Sequence, residues 1–273
     1  MMISSIYKIY FSATGTTQKV VDVIGDELAN KLNVNTHCHD FTLPSARVSF
    51  PDIKPDSLVV FGVPTYAGRV PNVLLKYLDT IQGNGCIAVP IVTFGNRAFD
   101  NALIELRNIL ENHEFKTIAG GAFVAEHSFS TILAAGRPDS DDIALAKKFA
   151  EDIFDKITKT ELISHHEPIE VDGDAEAFYF QPKTDEGRPI DIRKVKPKTN
   201  DKCIKCGLCS RVCPMGSIST DDFSTITGIC IKCGACIKKC PVQAKYFDDP
   251  DYLYHKKQVE ERFSRRAENK VFI

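Results

Sequence analysis

Cys203-Ile-Lys-Cys206-Gly-Leu-Cys209-Ser-Arg-Val-Cys213-Pro214 returns 27 residues later (230 − 203 = 27) as Cys230-Ile-Lys-Cys233-Gly-Ala-Cys236-Ile-Lys-Lys-Cys240-Pro241. Each copy reads C-x2-C-x2-C-x3-C-P, and together they hold eight of the ten cysteines. Cys38 and Cys86 stand alone in the long cysteine-poor stretch before them. Such a composition shift marks a domain boundary, and 273 residues at ~150 per domain predict about two domains. A secreted disulfide scaffold would be short and would spread its cysteines over the whole fold. With 43% apolar and 26% charged residues the chain can build a core and is not disordered. Its 34 basic and 36 acidic residues lack the basic excess of a nucleic-acid binder. No apolar run approaches the ~18 residues of a membrane span. No basic segment precedes an apolar one at Met1–Tyr10, so the expected location is the cytoplasm.

Three thiolates at C-x2-C-x2-C spacing can each take one corner of an iron–sulfur cube, while the fourth, redirected by the following proline, reaches a neighbouring cluster. Gly207 and Gly234 keep side-chain bulk away from the sulfurs. The competing readings are disulfides and structural zinc, which usually takes cysteines in separated pairs. Residues 201–247 resemble the bacterial two-cluster ferredoxins, a small α+β fold. The resemblance implies that Cys203, Cys206, Cys209 and Cys240 hold one 4Fe-4S cluster, and Cys230, Cys233, Cys236 and Cys213 the other. Over 200–240, Lys202, Lys205, Arg211, Lys232, Lys238 and Lys239 outnumber Asp201, Asp221 and Asp222. That excess would raise a cluster's potential, steer an acidic redox partner, or simply be solvated surface.

Upstream, β-like and helix-like periodicities alternate. Strand patterns at Ser5–Phe11, Asn35–Phe41, Leu58–Val63, Cys86–Thr93 and Thr117–Ala125 are separated by helix patterns at Thr16–Leu32, after Pro71, at Ala98–Asn112 and after Pro138-Asp139-Ser140. Five strands joined by crossovers predict a doubly wound α/β sheet, with its ligand beyond the carboxyl ends of the strands. There the first strand ends in Ser12-Ala13-Thr14-Gly15-Thr16-Thr17 and runs straight into a helix. A hydroxyl-rich turn at a helix N-terminus suits a phosphate monoester; it has neither a P-loop lysine nor a G-x-G-x-x-G pattern. The third and fourth strands lead into Val63-Pro-Thr-Tyr-Ala-Gly68 and Thr93-Phe-Gly-Asn96, where Tyr66 and Phe94 are candidates to flank a planar ring.

Residues 4–155 resemble flavodoxins. The resemblance implies that Ser12, Ala13, Thr14, Gly15, Thr16 and Thr17 hold the phosphate of FMN. It implies likewise that Pro64, Thr65, Tyr66, Ala67 and Gly68, with Thr93, Phe94, Gly95 and Asn96, contact the ring. The expected units are a flavodoxin-like domain over 1–155, a packed linker over 156–199 anchored by Ala177-Phe-Tyr-Phe180, a cysteine domain over 200–248 and a tail over 249–273. In the tail, Val259, Phe263 and Ala267 suggest a docking helix. His37-Cys38-His39 alternates on a strand and reads as a strand end rather than a metal tripod. Cys86 reads as an inert core thiol, and Glu126-His127-Ser128 as lining for a pocket or as a turn. The whole chain resembles flavodoxin–ferredoxin fusion proteins. That implies electron transfer between FMN and external redox proteins through two 4Fe-4S clusters, with no acid, base or nucleophile required. The alternatives are a flavin-dependent reductase using His127 or Tyr66 as proton donor, and a redox sensor.

Overall fold

The computed structural model describes residues 3–159 and 166–273. The start of the N-terminal reading and positions 160–165 of the expected linker lie outside the described residues. The chain runs β1 (Ser5–Tyr10), α1 (Thr16–Leu32), β2 (Asn35–Asp40), β3 (Ser57–Pro64), α2 (Asn72–Leu78), β4 (Ile87–Phe94), α3 (Ala102–Asn112), β5 (Lys116–Thr117), β6 (Gly120–Val124) and α4 (Ser140–Lys159). It continues with β7 (Lys198–Thr199), α5 (Leu208–Arg211), α6 (Ala235–Lys238), β8 (Lys245–Tyr246), α7 (Pro250–Arg262) and β9 (Lys270–Phe272).

The main sheet has the order β2-β1-β3-β4-β6-β9, parallel from β2 to β6. Counted among the five long parallel strands, the order is 2-1-3-4-5, that of flavodoxin-like sheets, whose switch point lies between the first and third strands. β3 and β4 are apolar and buried on both faces, as helix-covered parallel strands must be. On one face pack Val20, Val21, Ile24 and Leu28 of α1 with Phe149 and Ile153 of α4; on the other, Leu74 of α2 with Leu103, Leu106 and Leu110 of α3. The second apolar cluster also contains Cys233, Ala235 and Ala267, so the cysteine segment and the tail share a core with the sheet.

Three expectations need correction. The single strand expected at Thr117–Ala125 is two. β5 pairs Ala88 with Thr117 and β6 pairs Ile91 with Gly121, so one extra residue intrudes between the ladders, as in a bulge. The expected five-stranded sheet gains a further edge strand, because β9 adds antiparallel to β6. The tail helix ends at Arg262. Tyr252, His255 and Val259 form its buried face, while Phe263 caps it and Ala267 lies in the extended chain beyond.

A buried ion pair locks that tail down. Arg137 Nε donates to Asp142 Oδ2 (2.9 Å), Arg137 Nη1 to the Ala267 carbonyl (2.6 Å), and Asn269 Nδ2 to Asp142 Oδ1 (2.7 Å). Burial pushes the Asp142 carboxyl up, but the hydrogen bonds from Arg137 and Asn269 outweigh it and hold it below the ordinary value. A depressed pKa stabilises the fold above the unfolded value near 3.8 and is lost as acid carries the pH below it. Arg137→Met leaves this buried carboxylate without its guanidinium partner, and should cost about 3 kcal/mol in urea denaturation at pH 7, with the deficit shrinking toward pH 3. An equal deficit at both pH values would show that lost packing, not the pair, is responsible.

Candidate functional site

The two cysteine repeats fold alike. In each, the Lys before the second cysteine and the Gly after it are left-handed: Lys205 (φ +56°) and Gly207 (+72°), Lys232 (+55°) and Gly234 (+77°). For a lysine this costs about 1–2 kcal/mol. The alternation turns successive N–H groups toward one point, making a nest for an anion. One short helix follows in each copy, α5 and α6. The fourth cysteine of each copy accepts a backbone N–H four residues on, Ser217 to Cys213 Sγ (3.4 Å) and Ala244 to Cys240 Sγ (3.2 Å). β7 pairs Thr199 with Lys245, and a bridge pairs Ile226 with Ile218, the same contact displaced by the 27-residue repeat.

All ten cysteines are free, which sets the disulfide reading aside. Cys203, Cys206, Cys209 and Cys240 line one cavity; Cys213, Cys230, Cys233 and Cys236 line a second. Each draws three thiols from one repeat and the fourth from the other. Among the described residues no three His, Cys, Asp or Glu side chains could hold a single metal ion. The cavities differ in depth. The first is outermost, with Cys206 exposed and Ile204 62% exposed at its rim. In the second, burial pushes the Cys233 thiol up to about 12 and raises Cys230 and Cys236 as well. A thiol so placed keeps its proton in the absence of metal and releases it when a metal binds the sulfur.

The local basic excess is not all surface. Lys232 Nζ is buried and donates to the carbonyls of Arg193 (2.7 Å) and Cys230 (2.8 Å). Lys238 pairs with Glu126 and donates to the carbonyls of His127 (2.7 Å) and Ser130 (2.9 Å), pinning the repeat to the α/β half. Lys202, Lys205, Arg211 and Lys239 remain exposed.

A third cavity opens at the carboxyl ends of β1, β3, β4 and β6. Ala13, Thr14, Thr16 and Thr17 line it from the first loop, Pro64, Thr65 and Tyr66 from the second, and Thr93, Phe94 and Gly95 from the third. Gly15 sits left-handed (φ +94°) at the N-cap of α1 with open space above its Cα, leaving the first N–H groups accessible to an anion. Thr65 Oγ1 is buried without a hydrogen-bond partner, as a hydroxyl awaiting a ligand would be. A hairpin turn with φ > 0 at Ala67 and Gly68, closed by Tyr66 and Arg69, aims Tyr66 at the cavity. Burial raises the Tyr66 phenol well above 10, with Cys233 and Cys230 pushing the same way.

Five expected contacts do not line this cavity. Ser12 Oγ instead accepts the Gln18 N–H (3.0 Å), and Gly15 turns the backbone above it. The Ala67 and Gly68 carbonyls accept from Phe180 (2.8 Å) and Asn101 (2.9 Å). Asn96 Nδ2 donates to the Phe263 and Arg265 carbonyls (2.6 Å each), binding the tail rather than a ring. Within the aromatic segment expected to anchor the linker, Phe178 is 95% exposed, while Tyr179 Oη donates to the Val70 carbonyl (3.0 Å) and the Arg97 guanidinium lies over Phe180 (4.2 Å). Glu126, His127 and Ser128 do line the cavity, and so does Cys233, a neighbour across the fold that no spacing in the sequence announces.

The 4Fe-4S binding domain family matches residues 197–219 and 224–246, one copy over each repeat. The C-terminal segment is therefore an iron–sulfur domain of ferredoxin type. No curated protein matches the chain. Among solved structures, a flavodoxin from the domain Archaea is 18% identical over 57% of this chain and 99% of its own, with a TM-score of 0.40. A Streptococcus pneumoniae TIGR4 flavodoxin is 16% identical over 57% and 100%, at 0.40, and an apo NADH:FMN oxidoreductase 22% over 55% and 88%, at 0.41. With the 2-1-3-4-5 order of its long parallel strands, the chain is a fusion of a flavodoxin-like α/β domain with a 4Fe-4S ferredoxin domain. No helix among the described residues is long and apolar enough to cross a membrane.

Proposed function

We propose that this protein carries electrons between FMN, bound over residues 1–155, and an external redox protein, by way of two 4Fe-4S clusters bound over 200–248. The observation that carries the reading is Cys233: its residue lines both the inner thiol cavity and the cavity of the three flavin-side loops. Three cofactors would then stand in a row, FMN, inner cluster, outer cluster, with only a cysteine wall between the first two. FMN accepts up to two electrons and each cluster one, so the pairing converts two-electron chemistry to single-electron steps. Thr14, Thr16 and the first N–H groups of α1 hold the phosphate, while Tyr66 and Phe94 bound the ring. Cys230, Cys233, Cys236 and Cys213 ligate the inner cluster, and Cys203, Cys206, Cys209 and Cys240 the outer. Lys202, Lys205 and Arg211 around the outer rim favour a partner with an acidic face. Ten cysteines with no disulfide among them suit a reducing compartment such as the cytoplasm.

The test is composition under anaerobic conditions. Protein reconstituted with iron and sulfide should hold about eight of each per chain, as two four-iron cubes require, and bind one FMN. Stoichiometric zinc without sulfide would defeat the cluster assignment. Thr14→Val and Thr16→Val each remove a hydroxyl while keeping shape, and should weaken FMN binding about tenfold or more, the worth of one hydrogen bond to a charged group. Unchanged affinity in both variants would defeat the phosphate-loop assignment.

A further inference from the structure

His127 follows β6 and lines the flavin-side cavity opposite the first loop. Its imidazole lies flat on Gly95: a Cβ there would come within 2.8 Å of the ring's Cγ and nearer still to Cδ2, so only glycine leaves the imidazole its place. The ring's tautomer follows from its partner. The Phe129 N–H donates to Nδ1 (3.1 Å), so Nδ1 is an acceptor and the proton sits on Nε2, the nitrogen bonded to the carbon over Gly95. Among the described residues nothing accepts that Nε2–H. Burial, with His255, Lys238 and Arg97 adding to it, pushes the imidazole's pKa down to about 3, so at neutral pH it is an uncharged donor.

Resting on the FMN reading above, we propose that His127 positions FMN by donating its Nε2–H to an acceptor atom of the flavin ring, and that this bond strengthens the binding of reduced FMN more than that of oxidised FMN. Reduction adds electron density to the ring's nitrogens and carbonyl oxygens, and a hydrogen bond to a more negative acceptor is roughly twice as strong. A donor fixed by the Phe129 N–H and the Gly95 backbone does not need to reorganise to exploit that difference. Two neighbouring side chains on the same cavity are already engaged. Glu126 is occupied by Lys238, and the Thr17 hydroxyl is bonded to that of Thr93 (2.7 Å).

The test measures FMN dissociation constants on the full chain with both clusters, once with oxidised FMN and once with dithionite-reduced FMN. His127→Leu removes the donor; His127→Gln keeps an N–H on a side chain of similar reach. In His127→Leu the affinity for reduced FMN should fall about tenfold while that for oxidised FMN changes much less, and His127→Gln should keep most of the parent's bias. Iron and sulfide content certifies the fold, and His127→Phe, closer in shape to imidazole, replaces His127→Leu if that variant loses them. Equal weakening of both oxidation states in the variant without a donor overturns the inference and leaves the carrier reading standing. A parent chain that binds neither form overturns both.

Discussion

At micromolar protein, electrons given to the outer cluster are expected to reach bound FMN on the order of a thousandfold faster than by exchange between separate molecules, because one-chain linkage holds the modules at millimolar effective concentration. The observed rate should not change when the protein is diluted. The physical basis is a fixed interface rather than a tether: Cys233 and Ala235 belong to the apolar cluster under the sheet, and Lys238 is held by Glu126 and two carbonyls of the α/β half. Stopped-flow mixing with a reduced carrier, followed at flavin wavelengths, reads the rate. Phe178→Ala should leave it untouched, since that ring is in solvent, whereas Lys238→Met should slow it by loosening the interface. A rate proportional to protein concentration would show exchange between molecules and refute the internal relay.

Gly234→Ala should damage the protein far more than Gly207→Ala, although the two glycines occupy the same place in the repeat with nearly the same φ. Both substitutions put an L-residue in the left-handed region, at about 1–2 kcal/mol. At Gly207 the new methyl meets the ends of the Arg211 and Phe223 side chains at 3.1 Å, which can move. At Gly234 it would lie 2.5 Å from the Ser128 carbonyl oxygen, which is backbone of the other module and cannot. The expected excess for Gly234→Ala is about 1–3 kcal/mol, the range for overpacking a tight contact, in urea denaturation under argon followed by cluster absorbance. It should also bring the slowed internal transfer of Lys238→Met. Equal destabilisation would mean that the modules part readily and that the close approach is not maintained in solution.

Much of this was legible in the residues. The apolar runs of β3 and β4, the hydroxyl turn before α1 and the 27-residue repeat are local patterns, and local patterns survive folding. What escaped depended on neighbours distant in sequence. Asn96 stands in a loop at the right strand end, but its amide is used by a tail 167 residues onward. Lys232 and Lys238 look like surface charge until the carbonyls that receive them are known. The aromatic segment 178–180 reads as an anchor, but its sequence does not say that Phe178 faces solvent while the Tyr179 hydroxyl finds the Val70 carbonyl. The four-residue spacing of Val259, Phe263 and Ala267 mimics a helix, but only Val259 lies within α7 and Ala267 is buried from the extended chain beyond it. Three residues at 270–272 were too few to show a strand's alternation, and only the bare edge of β6 gives them a partner.

That short edge strand changes what kind of fusion this is. The polypeptide quits the α/β half after α4, builds the iron–sulfur unit, and comes back to finish the sheet it left. Topologically the ferredoxin unit is an insertion, gripped at both its entrance and its exit, so it can neither swing out on one stalk nor be shed by a single cut without unzipping β9. Timing is bound up with it too. During synthesis the β6 edge, a natural site for wrong strand pairing, stays bare until residues 270–272 emerge, by which time both cysteine repeats have already been made. Closure of the sheet is thereby ordered after synthesis of both cysteine repeats.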